Sequence, residues 1–143
     1  MRTSAGNQFI GRMTHIRRGN STDEVELQLT GGDCIVCAVT CDRALMLRLQ
    51  IGGMAFAWVS AASVMLTTER LDGFKLSARN QLSGSIKELR TAMENVEVLI
   101  GLKGGDTLRA IVTRESAKEL ELAEGKAVSA IFKASSVILG VAA

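Results

Sequence analysis

Val96, Val98 and Ile100 alternate with Glu97, Leu99 and Gly101, the period of two that sends successive side chains to opposite faces of a strand. Lys103-Gly104-Gly105-Asp106 is a tight-turn signal, and Leu108 to Val112 returns as a second strand. The rhythm then changes. Thr113 to Leu120 reads as a short amphipathic helix with Thr113 as its N-cap, and Glu115 suits the positive end of the helix dipole. Leu122 to Gly125 ends that helix and turns, and Val128 to Phe132 and Val137 to Leu139 predict two more strands. Upstream, Leu76-Ser77-Ala78-Arg79-Asn80-Gln81-Leu82-Ser83-Gly84 follows a turn at Asp72-Gly73 and opens the first strand of the unit.

The same pattern occurs earlier in the chain. Moving the sequence along itself so that Ser4 falls on Ser77 aligns the halves without a gap, and about a third of the positions are identical. Val25, Leu27 and Leu29 repeat the first alternation, Gly31-Gly32-Asp33 falls on Gly104-Gly105-Asp106, and Val39-Thr40 falls on Val112-Thr113. Ala61 to Leu66 falls on Ala134 to Leu139, and Asp42 matches Glu115. The chain is a tandem duplication, with like domains at 1–70 and 71–143 joined near Glu69 to Gly73. Five short strands and one small helix per unit predict a mainly β fold of two small Greek-key barrels of the OB kind.

Composition narrows the function. Of 143 residues, 47% are hydrophobic and 22% charged, an ordinary globular balance. No apolar run reaches the roughly 18 residues of a membrane span, and the N-terminus has no signal-peptide core, so a cytoplasmic protein without a membrane partner is expected. The net charge is only +2, with one Trp, four Phe and no Tyr. An OB barrel that binds single-stranded nucleic acid needs a basic groove and stacking rings, so no direct nucleic-acid partner is expected. Because the repeat begins at residue 3 or 4, no helix-turn-helix segment and no direct DNA binding as a regulator are expected. There is no phosphate-binding loop of the Gly-x-x-x-x-Gly-Lys-Ser/Thr type. With a single His and no nucleophile motif or carboxylate pair, the chain does not read as an enzyme.

The polar residues are more informative. Ser77 and Arg79 stand at the start of a strand, Thr113 and Ser116 at the mouth of the helix. Lys133 and Ser135 interrupt the apolar run Ala130 to Leu139. Hydroxyls, a guanidinium, an ammonium and free N–H groups together suit a deprotonated tetrahedral oxyanion, which only accepts hydrogen bonds. Each residue also has a plain reading: Ser77 and Thr113 as caps or turn residues, Lys133 and Arg79 as surface charges. Spacing alone does not bring the three segments together.

Ser77-Ala78-Arg79-Asn80-Gln81-Leu82-Ser83-Gly84, Glu97-Val98, Gly104-Gly105, Val112-Thr113, Ser116 and Lys133-Ala134-Ser135-Ser136-Val137 closely resemble the molbindin, or Mop-type, molybdate-binding domain. The tandem arrangement resembles two-domain molbindins of the bacterial cytoplasm. It is also similar to the effector-binding half of molybdate-responsive transcriptional regulators and to the end of some molybdate-transporter ATPases. The resemblance covers nearly the whole chain and is more specific in the second copy. It implies an OB-like fold, homo-oligomers (trimers of two-domain chains) and oxyanions held between domains and subunits. Residue by residue, it implies Ser77, Arg79, Thr113, Ser116, Lys133, Ala134 and Ser135 as ligands, the N–H groups of Arg79 and Ala134 included. It implies no cofactor; the ligand is molybdate or tungstate, bound for storage and buffering or sensed on behalf of a partner domain elsewhere.

The first copy departs from this set. Arg79 becomes Gly6, Lys133 becomes Ser60 and Ser116 becomes Arg43, while Ser4, Thr40, Ala61 and Ser63 remain. Losing two charge-assisted bonds of about 1.5–3 kcal/mol each costs roughly ten- to a hundredfold in affinity apiece. First-copy sites built on Ser4, Thr40, Arg43 and Ala61 are therefore expected to be weak, unless Arg43, Arg2 or a neighbouring subunit supplies a cation. Cys34, Cys37, Cys41 and His15 invite a zinc reading. Residues three apart on a strand face opposite ways, however, and the counterparts Thr107, Ala110 and Arg114 are not cysteines. Buried reduced thiols are expected instead, and no metal ligands.

Overall fold

The structure is a computed structural model that describes residues 3–143; Arg2 lies outside the described residues. The first repeat runs β1 (Gly6–Arg17), β2 (Thr22–Leu29), β3 (Cys34–Thr40), α1 (Cys41–Met46), β4 (Met54–Ser60) and β5 (Met65–Thr67). The second runs β6 (Asn80–Thr91), β7 (Asn95–Leu102), β8 (Thr107–Thr113), α2 (Arg114–Glu119), β9 (Ala127–Phe132) and β10 (Val137–Gly140). Each repeat has the expected five strands and one helix, and the fold is mainly β, with two curled five-stranded sheets consistent with tandem OB-like domains. No helix among the described residues is long and apolar enough to cross a membrane.

The sheets curl because their longest strand serves two neighbours. β1 pairs with β4 over Gly6 to Arg12 and with β2 over Gly11 to Arg17, with a register shift between Met13 and His15. β6 does the same with β9 and β7, shifting between Ile86 and Glu88. An irregularity of this kind bends the strand and sharpens its twist.

The sheets also exchange strands, which periodicity did not anticipate. Their orders are β10-β4-β1-β2-β3 and β5-β9-β6-β7-β8, so the last strand of each repeat completes the sheet of the other. One buried cluster runs through both, with Leu27, Ile35 and Val25 packed in the same core as Phe132, Ile100 and Leu108. Leu99, on the outward phase of β7, is also buried.

Two asparagines stitch the repeats together. Asn80 accepts from Val36 N and donates to Val36 O, both at 2.8 Å. Asn7 accepts from Arg109 N at 2.7 Å and donates to Arg109 O at 2.8 Å. Each amide thus acts as a one-residue strand against the edge strand of the opposite repeat, pairing part-buried edge backbone groups. Between the sheets the two glycine turns touch: a Cβ on Gly31 would overlap the carbonyl oxygen of Gly104, and Gly104 N donates to Asp33 Oδ2 at 2.9 Å. The repeated Gly-Gly-Asp is therefore an inter-repeat contact as well as a turn.

The cysteines separate as strand geometry requires. Cys37 is buried and its thiol is pushed up to about 12 by burial, whereas Cys34 and Cys41 are half-buried, less enclosed than expected. Cys41 Sγ lies 3.4 Å from Asp23 Oδ1. Asp23 itself is buried where the second repeat has Val96, and it takes Arg18 Nη1 at 2.8 Å and Gly19 N at 3.0 Å. The Arg18 guanidinium, joined by that N–H, holds its carboxyl below the ordinary 3.8 against the opposing effect of burial. A folded pKa below the unfolded one stabilises the fold above the unfolded value, and that contribution disappears as pH falls through the folded one. In chemical unfolding between about pH 5 and about pH 3, Asp23→Asn should therefore lose less stability on acidification than the parent.

Candidate functional site

Antiparallel pairing assembles one half of the expected ligand set. Asn80 opposes Phe132 across β6 and β9, so Arg79 and Lys133 are the next residues of their two segments, one step beyond the paired region. Ser77 lies in the exposed approach to β6, and both Ser77 and Arg79 precede the strand rather than opening it. Lys133 leads into a single 3-10 turn, Ala134–Ser136, closed by Ser136 N to Lys133 O at 3.0 Å. Ala134 is buried there while Lys133 and Ser135 are exposed. Lys133 forms no ion pair among the described residues. Five of the seven residues, Ser77, Arg79, Lys133, Ala134 and Ser135, thus come from two adjoining chain segments.

Thr113 and Ser116 are elsewhere in the chain. Thr113 opposes Asn95 on β7, which follows the far end of β6, where Thr91 opposes Val96. Arg79 precedes the first residue of the twelve-residue β6, whereas Thr113 is two strands away on β8, towards the level of the other end of β6. The sheet register keeps these groups apart. At the helix mouth, Thr113 Oγ1 accepts from Ser116 N at 3.1 Å and donates to Ser116 Oγ at 2.9 Å, the expected N-cap with its hydroxyl engaged locally.

The Arg79 guanidinium has a partner in the other repeat. Its Nη1 lies 2.6 Å from Glu24 Oε1, and Arg17 Nη2 reaches the same oxygen at 2.7 Å. Glu24 stands on β2 opposite Ala38, two residues before Thr40 at the mouth of α1. His15, Arg17, Glu24, Glu26, Val36 and Arg79 line a hollow of about 230 Å³. A larger hollow of about 690 Å³ lies apart from this cluster, between the inter-repeat segment and the outer face of the second sheet around Ser83, Gly101 and Ser129.

The first-copy counterpart differs in backbone as well as side chains. Gly6 has φ +89, a conformation that favours glycine, and a Cβ there would lie 3.3 Å from Ala61 Cβ. Arg79 needs no such conformation, so the loss of the arginine accompanies a change in chain path. Ser60, in place of Lys133, accepts Ala62 N at 3.3 Å and caps its own turn. Ala61 is buried, its N–H donating to Ala5 O at 2.9 Å, and Ser4 is exposed. Thr40 makes no side-chain cap bond, and Arg43 Nη1 lies 3.7 Å from Met46 Sδ of its own helix.

The TOBE domain family matches the chain twice, over residues 3–66 and 76–139. The chain belongs to the TOBE-domain family. Among its relatives, the molybdenum transport protein ModE of Azotobacter vinelandii is 44% identical over 141 residues, 99% of this chain and 52% of that protein. The molybdenum-pterin-binding protein MopA of Rhodobacter capsulatus is 35% identical over 139 residues, 97% of this chain and 52% of its own length. This TOBE pair therefore spans about half the length of these relatives. Among solved structures, the cytoplasmic molybdate-binding protein ModG with molybdate bound superposes with a TM-score of 0.94 at 41% identity, covering 99% of this chain and 100% of that one.

Sequence reasoning missed Asn7, Asn80 and Glu24. Their signal was present: Asn7 and Asn80 occupy the same place in both repeats, as do Glu24 and Glu97. What it lacked was a partner, because each acts across the boundary between repeats.

Proposed function

We propose that this chain binds molybdate, or the similar tungstate, reversibly in the cytoplasm, for storage and buffering. The observation that carries this reading is the likeness to ModG, whose description as a cytoplasmic molybdate-binding protein accompanies full-length structural agreement at 41% identity. The juxtaposition of Arg79 and Lys133 supports it. In this reading the two cations neutralise the dianion, Ser77 and Ser135 donate hydroxyl hydrogen bonds, and the N–H groups of Arg79 and Ala134 complete the cradle. No bond is broken, and no enzyme activity is proposed.

Thr113 and Ser116 would come from another copy of the chain, since their own β6 holds them away from Arg79. The assembly proposed is a homotrimer. Its support is an apolar outer face on the first sheet. Ile10, Met54 and Ile138 are exposed there. Beside them Phe56 and Trp58 stack with centroids 5.8 Å apart. The counterparts of Ile10, Met54 and Phe56 in the second repeat are Ser83, Ala127 and Ser129. The second sheet keeps only Met65, the exposed counterpart of Ile138, and an apolar face so much larger on one of two like sheets points to a covered surface.

First-copy sites are proposed to be weak, because Gly6 and Ser60 supply no charge. A second reading, as the molybdate-sensing module of a regulator, is favoured by the 31% identity to half of the DNA-binding transcriptional dual regulator ModE of Escherichia coli. Native mass spectrometry with molybdate, tungstate or sulfate tests the main reading. Trimers retaining molybdate are expected, and a chain that retains no oxyanion would sink it.

A further inference from the structure

We propose that Glu24 is an internal competitor for the oxyanion, a carboxylate of the first repeat that occupies the guanidinium of the second repeat's binding residue and sets its affinity. This rests on the molybdate reading above. The geometry is specific. Glu24 Oε1 lies 2.6 Å from Arg79 Nη1, and Arg79 directly precedes Asn80, whose strand partner Phe132 leads into Lys133. A carboxylate and a molybdate oxygen are both anionic acceptors, and they seek the same fork of N–H donors. Binding the dianion therefore means exchanging one Arg79 partner for another, or enduring repulsion from a carboxylate left in place.

Arg17 makes the exchange feasible. It donates to the same Glu24 oxygen at 2.7 Å, so Glu24 remains paired when Arg79 turns to the ligand. Glu24 is also the less exposed partner, at 23% of its side chain against 49% for Arg79. The arginine is thus the freer member of the pair. The other repeat supplies an internal control. Glu97, the counterpart of Glu24, has Arg90 at 3.3 Å in the role of Arg17. Where Arg79 would stand, the chain has Gly6. The competing contact exists only where a cationic ligand residue exists.

The test is calorimetric titration of the full chain with molybdate. Glu24→Gln, which keeps the shape and removes the charge, should tighten binding by about three- to tenfold, the scale of a partly exposed ion pair with added repulsion. Glu97→Gln should leave affinity unchanged. In an Arg79→Ala background, Glu24→Gln should give little further tightening, which separates competition for the guanidinium from a general loss of negative charge. Unchanged or weaker binding by Glu24→Gln, with a parent that binds, overturns the competitor role alone. Equal tightening with and without Arg79 also overturns it. A parent chain that binds no molybdate removes the underlying reading first, and the role of Glu24 with it.

Discussion

Lys133→Ala is expected to weaken molybdate binding by about ten- to a hundredfold, the scale of one charge-assisted hydrogen bond. Lys133 is exposed at the head of the turn Ala134–Ser136 and makes no ion pair among the described residues. Its removal should therefore leave the fold nearly untouched, and a change in affinity would report on the ligand. Arg79→Ala should produce a loss of the same order. Its effect is harder to read alone, because it also alters the environment of Glu24, 2.6 Å away. Lys103→Ala, in the exposed turn between β7 and β8, removes one positive charge without touching the cluster and should change little. Equilibrium dialysis at fixed ionic strength measures all three. If Lys133→Ala and Arg79→Ala both bind as the parent does, the cradle assigned to Ser77, Arg79, Lys133, Ala134 and Ser135 is wrong, whatever the chain binds.

Asn80→Ala should be strongly destabilising. The side chain is 2% exposed, and its amide satisfies both the N–H and the C=O of Val36. Truncation leaves two part-buried backbone groups without their partners, at about 1–3 kcal/mol each, beside a small cavity. About 3–5 kcal/mol is expected, or on the order of 10 °C in melting temperature for a chain of this size. Asn80→Asp should fare no better: it keeps an acceptor for Val36 N but turns a carboxylate oxygen towards Val36 O. Asn7→Ala should behave like Asn80→Ala, through Arg109. A scanning-calorimetry shift of only a degree or two would show that these amides are ornaments rather than stitches. Because Asn80 directly follows Arg79, its loss should also blur the position of the guanidinium.

Much of the local structure was legible in the chain. Period-two alternation marked β2 and β7, the Gly-Gly-Asp turns marked the hairpins that return as β3 and β8, and Thr113 caps α2 as its sequence position suggested. These features depend on neighbours within a few residues, and such neighbours are written side by side. The lengths of β1 and β6 were not legible, because a strand that changes partners midway has no single period to read. The fate of β5 and β10 was not legible either. Three or four alternating residues pair equally well with either sheet, and the choice is made by the packing of one repeat on the other.

The stretch from Ser77 to Gly84 shows the same division. By itself the sequence determined that it has a twin at Ser4 to Gly11, that the twin lacks the arginine, and that the fold is built twice. Only the tertiary structure decided that Gly6 follows a left-handed path, that Asn80 closes on Val36, and that Arg79 answers to Glu24 of the other repeat. The physical reason is that periodicity and capping act along the chain. The exchanged strands, the amide stitches and the shared carboxylate act between segments some 40 to 100 residues apart, where no spacing rule reaches.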